Sequence, residues 1–233
     1  MLMNRRSVLR LLPFTALPVS AYAADPQPTG EEILRLVRLS YALQDSKLMG
    51  SLRDDDTGRE EPFELTMQQN VIRFRFINQP PEIVHLDLGT TPATLMQVRP
   101  GGAGTVAMDE YGESVRGMDF NYEDLSMRFL YWPNAKLMGE DRIRTVKCWY
   151  VRVTNPDRKG PYWTVDLWVH QESGGVARMD AYNFQSKLVK RFQVVSVQKS
   201  GKATILKEMR VESFNPLNGD RKGRTYMKLD KPD

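Results

Sequence analysis

The feature that most constrains this chain is a hydrophobic pattern that repeats every second residue. It begins where Ile72, Phe74 and Phe76 alternate with Arg73 and Arg75. Successive side chains of a strand point to opposite faces, so this alternation indicates a β-strand with one buried face. Similar segments recur at intervals of roughly ten residues, with turn residues between them. The pattern predicts further strands over 83–88, 93–98, 105–109, 137–143, 146–154, 162–170, 176–184, 188–197, 203–214 and 223–229.

One amphipathic helix is predicted before the strands, over residues 30–43. Thr29 and Glu32 have the spacing of a capping box, in which each side chain bonds the backbone of the other. Apolar residues then recur at helical spacing. They are Ile33, Leu36, Val37 and Tyr41. The acidic segment 54–62 that follows lacks the ligand spacing of a calcium loop, so we interpret it as a solvated turn.

The order of these elements predicts an α+β fold. A helix leads into a long antiparallel meander, which one short helical insert near residues 121–126 interrupts. Hydrophobic residues make up 41% of the 233 positions and charged residues 27%, the composition of an ordinary soluble globular chain. These values argue against a collagen-like, disordered or polytopic membrane protein. No Pro-, Gly- or Ser-rich linker divides the chain, so we expect one domain over residues 24–233.

The first 23 residues have the features of a cleaved export signal. A basic start with Arg5, Arg6 and Arg10 precedes a short apolar run and an Ala-x-Ala site ending at Ala23. The paired arginines fit a twin-arginine signal, and an ordinary secretory leader explains them equally well. Cleavage would remove three of the 33 basic residues and none of the 29 acidic ones. The mature chain would be nearly neutral, which argues against nucleic acid as a partner. The export signal itself predicts a location in the periplasm.

Few residues of the sequence suit catalysis or metal binding. His85 and His170 each lie in a predicted strand, and Cys148 is the one cysteine. They have no metal-ligand spacing and no nucleophile motif, so we expect no metal, no cofactor and no catalytic residue. An enzyme that used Asp119 with Glu123 or Asp124 is the alternative. Those acids stand at a predicted helix start, where the helix dipole already favours them.

Large apolar residues are the more informative set. Trp163, Val165, Leu167 and Val169 would share one face of a strand without a polar break. A long sheet with a continuous apolar face needs a cover, and the sequence predicts few helices to supply it. Flexible methionines elsewhere in the chain suit a surface that adapts to apolar ligands. We therefore expect part of this face to be available to an apolar ligand.

Several segments resemble the LolA-like outer-membrane lipoprotein-sorting proteins. The first is Asp-Phe-Asn-Tyr-Glu-Asp-Leu at residues 119–125, and the last is Lys-Leu-Val-Lys at residues 187–190. Between them, residues 139–141, 148–150, 162–169 and 178–184 also match. The resemblance extends over roughly residues 30–230 and is most specific after residue 118.

The resemblance implies a curved, incomplete antiparallel barrel with helices lidding its concave apolar face. It implies a periplasmic carrier or chaperone that binds lipoprotein acyl chains or other lipids. An inner-membrane donor and an outer-membrane acceptor would be its partners. Family carriers gate their cavity with an arginine on an early strand. Arg73 and Arg75 lie on a comparable strand, but no motif transfers that role to either of them.

From this we predict two sets of site residues. The cavity would be lined by Ile72, Phe74, Phe76, Trp149, Val151, Trp163, Val165 and Leu167. The lid helix would face it with Ile33, Leu36, Val37 and Tyr41, held by apolar contacts alone. A periplasmic sensor or adaptor that uses the same scaffold to bind a protein partner is the alternative function.

Overall fold

The structure, a computed structural model, describes residues 27–42, 46–88, 93–200 and 203–231. The predicted export signal lies outside these ranges. Helix α1 comprises Gly30–Ala42, which confirms the predicted helix. Its capping box is also confirmed, because the Thr29 backbone N–H donates to Glu32 at 2.7 Å and the Glu32 N–H donates to Thr29 Oγ1 at 3.2 Å.

The strands follow in two runs that flank a short helical insertion. The first run is β1 Ser46–Asp54, β2 Glu60–Gln68, β3 Val71–Phe76, β4 Glu82–Asp87, β5 Thr94–Arg99 and β6 Gly102–Thr105. The second run is β7 Lys136–Ile143, β8 Val146–Thr154, β9 Thr164–His170, β10 Val176–Tyr182, β11 Leu188–Ser200, β12 Ala203–Phe214 and β13 Arg221–Leu229. Between the runs lie helix α2 Tyr122–Ser126 and the 3-10 turns Met108–Gly112, Val115–Gly117 and Arg128–Tyr131.

The strands of the described residues form one curved, unclosed antiparallel sheet. Each run is a meander of hydrogen-bonded neighbours, and β6 and β7 are the two edge strands. The last strand returns to pair with the first, with Leu229 opposite Gly50, so β13 and β1 join the two halves. The predicted α+β fold, a curved and incomplete antiparallel barrel, is confirmed.

The concave face of the sheet is apolar across neighbouring strands. Cross-strand pairing aligns one residue from each of β7 to β12 into a row, which we call the apolar row. Its members are Leu137, Val151, Leu167, Met179, Phe192 and Val211. All six belong to, or pack on, one hydrophobic core. Burying a side chain of this size stabilises a fold by about 1.5–3 kcal/mol, so the row is a major source of stability.

The convex face carries charges in register with one another. Arg152 on β8 and Asp166 on β9 form an ion pair at 2.6 Å. Asp180 on β10 binds Arg178 at 2.5 Å and Arg191 on β11 at 2.8 Å. Burial alone would raise the pKa of Asp180, but the hydrogen bonds from the two arginines outweigh it and keep that pKa below its ordinary value. These pairs explain how carboxylates stay buried outside the core.

The insertion between β6 and β7 covers much of the concave face. Helix α2 begins at Asn121, whose side chain accepts from the Asp124 N–H at 2.9 Å, and ends at Met127 in the left-handed conformation. Apolar residues of the insertion are buried in the core. They are Val106, Tyr111, Val115, Met118, Phe120, Tyr122, Leu125, Phe129, Leu130 and Trp132. We expected too few helices to cover the apolar face of the sheet. That expectation is wrong, because the loops and short helical turns of the insertion cover much of this face.

Two predicted boundaries also differ from the structure. The predicted strand over 105–109 is wrong, because β6 ends at Thr105 and a 3-10 turn begins at Met108. The predicted loop over 54–62 narrows to a short turn, since β1 extends to Asp54 and β2 begins at Glu60. Within the turn, Asp54 Oδ1 accepts from Thr57 N at 2.7 Å and from Asp56 N at 3.1 Å. The Asp54 carboxylate thus stabilises the turn by accepting backbone hydrogen bonds, which agrees with the interpretation of this segment as a solvated turn.

Candidate functional site

The concave face of the sheet brings together most of the predicted cavity residues. Ile72 and Phe76 on β3 are buried in the core, and Phe74 packs on it. On the other half of the sheet, Val151, Val165 and Leu167 are fully buried and Trp149 packs on the same core. Residues from strands far apart in the sheet thus share one apolar interior.

Trp163 has a different environment. It precedes β9, so the strand alternation that was used to place it does not extend to it. Its ring packs against Phe184 with centroids 5.6 Å apart, and the Arg158 guanidinium lies 5.1 Å from its centroid. The structure therefore places Trp163 outside the core cluster that the other predicted cavity residues share.

Helix α1 covers the β7–β8 end of this interior. It packs on β7, β8 and the 3-10 turn Arg128–Tyr131. Ile33, Leu34 and Val37 are fully buried, whereas Leu36 is 51% exposed. The expectation that Leu36 faces the sheet is wrong, because the buried face of the helix is centred on residues 33, 34 and 37. The side chain of Tyr41 lies outside the described residues.

Polar contacts hold α1 as well as apolar ones. Arg38 donates to the Leu130 carbonyl at 2.5 Å, and its guanidinium lies 5.3 Å from the centroid of the Tyr131 ring. At the other end of the helix, Glu31 accepts from the Ala135 N–H at 2.9 Å. The expectation that apolar contacts alone hold the lid is therefore wrong. Both polar contacts reach the segment that leads into β7, so α1 is attached to one side of the half-barrel.

The motif residues at 119–125, 162 and 190 meet in a buried polar network. The Tyr162 hydroxyl donates to Asp124 Oδ1 at 2.6 Å, and Asn121 Nδ2 donates to that hydroxyl at 3.0 Å. Lys190 Nζ lies 3.6 Å from Asp124 Oδ2 and donates to the backbone carbonyl of Asp119. Burial raises the pKa of Asp124, and the ammonium and the hydroxyl act against that rise. This network joins α2 to β9 and β11.

A neighbouring ion pair closes the end of α2. Glu123 is fully buried and binds Arg128 at 3.1 Å. Burial raises the pKa of Glu123 to about 7, although the Arg128 charge opposes the shift. Arg128 also donates to the Lys159 carbonyl at 2.8 Å and lies 5.6 Å from the centroid of the Trp132 ring. Glu123 and Asp124 are thus engaged inside the protein, where they fix the insertion to the sheet.

The arginines on the early strand do not face the interior. Arg73 and Arg75 are exposed, on the face of β3 opposite Ile72 and Phe76. At the edge of the core, Arg116 instead binds Glu61 at 3.0 Å and lies 5.9 Å from the centroid of the Phe76 ring. Sequence alternation already placed Arg73 and Arg75 on the outer face. Nothing in the sequence pattern pointed to Arg116 or Arg38.

Within the described ranges, no group of three or more His, Cys, Asp or Glu side chains is placed to hold a metal ion. No helix in those ranges is long and apolar enough to cross a membrane.

The chain is similar to known proteins both in its sequence and in its fold. A family model with the description "Uncharacterized protein" matches residues 104–232, more than half of the chain. No curated protein sequence matches the chain. A DUF1329 family protein from Desulfovibrio piger is similar over 86% of this chain and 90% of its own, with a TM-score of 0.68 and 17% identity.

Two further solved structures share the fold. A LolA superfamily protein from Nitrosomonas europaea has a TM-score of 0.66 and 14% identity, and covers 89% of this chain and 95% of its own. An outer membrane lipoprotein-sorting protein domain from Vibrio parahaemolyticus has a TM-score of 0.67 and 12% identity. It covers 87% of this chain and 92% of its own.

Proposed function

Since the chain belongs to the LolA-like family, we propose that it is a periplasmic carrier of lipoprotein acyl chains or other lipids. The cargo would lie on the concave face of the sheet, beneath α1, and pass from an inner-membrane donor to an outer-membrane acceptor. The observation that carries the proposal is the apolar row, which crosses six neighbouring strands. Helix α1 covers the part of the row on β7 and β8, and the insertion covers the row farther along the sheet, where Phe120 packs on Phe192 with ring centroids 5.6 Å apart.

In this structure α1 is closed, so loading requires the helix to move. Burial of Ile33, Leu34 and Val37 together contributes roughly 5–9 kcal/mol to holding it closed. The two polar contacts of Arg38 and Glu31 add about 0.5–1.5 kcal/mol each, the usual net value of a hydrogen bond. An acyl chain of sixteen carbons gains roughly 12 kcal/mol on leaving water, at about 0.8 kcal/mol per methylene. Cargo binding and lid closure are therefore of similar size.

This balance suits a carrier. A protein that bound its cargo much more strongly than a bilayer does could not release it. Here the lid residues can occupy the concave face again as the chain leaves, which offsets the loss of the cargo contacts. The proposed cavity residues Ile72, Phe74, Phe76, Trp149, Val151, Val165 and Leu167 need no catalytic group for this role.

The direct experiment is to purify the protein from its native host and identify bound lipid by mass spectrometry. Binding of a fluorescent C16 fatty acid to the delipidated protein provides a second readout. We expect a lipid in the first measurement and saturable binding in the second. Absence of both results would overturn the proposal. A stoichiometric membrane protein that co-purifies without lipid would instead favour the adaptor function.

A further inference from the structure

A row of hydrogen-bond donors lies at one end of the concave face. On β7 and β8, Arg142 stands directly opposite Lys147. Lys147 accepts from the Gln171 backbone N–H through its carbonyl at 3.1 Å, which brings the end of β9 alongside. Alternation along β8 places Lys147 on the same face as Trp149, two residues nearer the start of the strand. Gln171 directly follows β9, and its backbone bond to Lys147 places it beside that end of β8. We call these three residues, Arg142, Lys147 and Gln171, the rim row.

The rim row has an unfavourable charge arrangement. Like charges directly opposite each other on neighbouring strands destabilise a sheet. In the described part of the chain, neither Arg142 nor Lys147 has a carboxylate partner within ion-pair distance, although 16 other ion pairs form there. The nearby Asp141 points to the other face, where it accepts from Trp168 Nε1 at 2.8 Å. A bound anion would relieve this repulsion.

Gln171 supplies an independent observation. Its side-chain Nε2 is buried and has no hydrogen-bond acceptor among the described residues. Buried amide groups of folded proteins nearly always have a partner, so an orphan N–H₂ group indicates a missing acceptor. Gln171 is also one of the residues around a cleft of about 300 Å³, together with Arg142, Thr145, Val146, Lys147, His170 and Glu172. One carboxylate, that of Glu172, lines this cleft against two permanent cations.

The cleft adjoins the lid. A Cβ atom at Gly174, in the turn that follows Gln171, would lie 3.7 Å from the Cβ of Leu36 on α1. Along β8, Lys147 is followed on the concave face by Trp149 and then Val151 of the apolar row. The distance from the rim row to Val151 is about 13 Å at the rise of an antiparallel strand. A molecule with an anionic head and an apolar chain could place its head at the rim row and its chain on the apolar row.

We propose that the rim row binds the phosphate or carboxylate head of an anionic amphiphile whose chain lies on the apolar row. This inference rests on the proposed carrier function and adds a substrate class to it. Arg142 and Lys147 supply the charge, and the Gln171 amide donates a directed hydrogen bond. Charge-assisted hydrogen bonds of this kind are stronger than neutral ones, so they select for charge.

The test uses two C16 probes of equal chain length, a fluorescent fatty acid and its uncharged methyl ester. We expect the mature protein at low salt to prefer the acid by about tenfold, the size of one or two partly exposed charge-assisted bonds. The variant Arg142→Gln/Lys147→Gln should lose this preference and keep the ester affinity. The matched control Arg73→Gln/Arg75→Gln makes the same charge change on the convex face of β3 and should retain the preference.

The fold of each variant can be checked without ligand. Because the double variant removes a repulsive pair, its unfolding midpoint should equal or exceed that of the parent. Gln171→Leu is a second variant, which removes the orphan donor without changing the charge and should reduce the preference. If the parent binds both probes equally, or the double variant still prefers the acid, the anion site is overturned and the carrier function stands.

Two other outcomes have different meanings. If neither C16 probe binds the parent, this inference fails, and the carrier function fails with it if no lipid co-purifies from the native host. Inorganic phosphate provides the remaining arm of the experiment. Competition by phosphate against the acid, but not against the ester, supports the proposed site. If the protein binds phosphate but neither C16 probe, the rim row is a site for free anions. That result would overturn the proposal that it binds an anionic amphiphile.

Discussion

The hydroxyl of Tyr162 donates a 2.6 Å hydrogen bond to Oδ1 of Asp124 inside the core, across 38 positions of the sequence. Both residues are buried, and Lys190 completes the network from β11. The two sequence segments that most resemble the LolA-like family, around residues 119–125 and 187–190, therefore meet at one point. Their shared role is to hold the insertion against the sheet.

Tyr162→Phe should destabilise the protein by about 1–3 kcal/mol, because it removes the donor to Asp124 Oδ1 and leaves the buried Asn121 Nδ2 without its acceptor. The ring stays, so packing changes little. Chemical denaturation measures the effect. Tyr226→Phe is the control, since that ring lies under Arg53 on the convex face, with the guanidinium 5.2 Å from its centroid. Equal effects of the two substitutions would contradict a special role for the Asp124 network.

Stability should fall as pH rises because of Glu123. Burial raises its pKa in the folded protein to about 7, above its ordinary value of 4.5. A group with a raised folded pKa favours folding fully below pH 4.5, and this contribution is lost as pH rises to 7. The shift corresponds to about 3 kcal/mol. Asp180, whose pKa is lowered, titrates below this window and adds nothing within it.

Glu123→Gln should remove most of this pH dependence. The measurement is the free energy of unfolding at several pH values between 4.5 and 7, for parent and variant. The amide keeps the volume and cannot lose a proton, so the variant's curve should have a smaller slope, to which Asp124, whose pKa burial also raises, still contributes. Curves with the same slope in both proteins would show that Glu123 does not control the pH response.

Much of the fold could be predicted from the sequence, because hydrophobic alternation is a local signal. The strands after residue 71, apart from β6, and the helix near residue 30 follow from it directly. The pairing of β13 with β1 could not be predicted in this way, because it joins residues almost a full chain apart. On β1, Gly50 occupies a buried position, so the apolar alternation of Leu48 and Leu52 is interrupted. The sequence pattern therefore predicts no strand there.

The candidate site could be predicted only in part. Residues within strands, such as Val151 and Leu167, were placed correctly on the buried face. Trp163 was misplaced because it lies just before its strand, where alternation no longer applies. Leu36 was misplaced because helical spacing alone allows a broad apolar face. The contact of Arg38 with Leu130 depends on tertiary structure, so no spacing in the sequence predicts it.

Gly50→Ala should destabilise the sheet where its two halves join. An added Cβ would lie 2.4 Å from the Lys228 carbonyl oxygen and 2.9 Å from the Phe63 ring. The neighbours must shift, which costs about 1–3 kcal/mol in a packed interior. Gly104→Ala is the control, because nothing lies within 4 Å of an added Cβ there. Thermal unfolding should separate the two variants, and a neutral Gly50→Ala would contradict the close packing of β1 on β13.

Arg38→Gln should loosen the lid. The variant loses the contact with the Leu130 carbonyl and the stacking on Tyr131. Together these contacts contribute about 1–2 kcal/mol, so bound lipid should leave roughly ten times faster. Arg35→Gln on the exposed side of α1 is the matched control. Stopped-flow transfer of a fluorescent fatty acid to vesicles measures the release rate. Identical rates for the two variants would mean that Arg38 does not restrain the lid.

The central claim is that an acyl chain lies on the concave face beneath α1. Quenching of tryptophan fluorescence by a C16 fatty acid brominated on its chain tests this most directly, because quenching requires contact with the bromine. Trp149 packs on the core of that face, whereas Trp163 lies against Phe184 outside it. We predict that Trp149→Phe reduces the quenching and that Trp163→Phe preserves it. Quenching that survives in Trp149→Phe and disappears in Trp163→Phe would contradict the proposed cargo site.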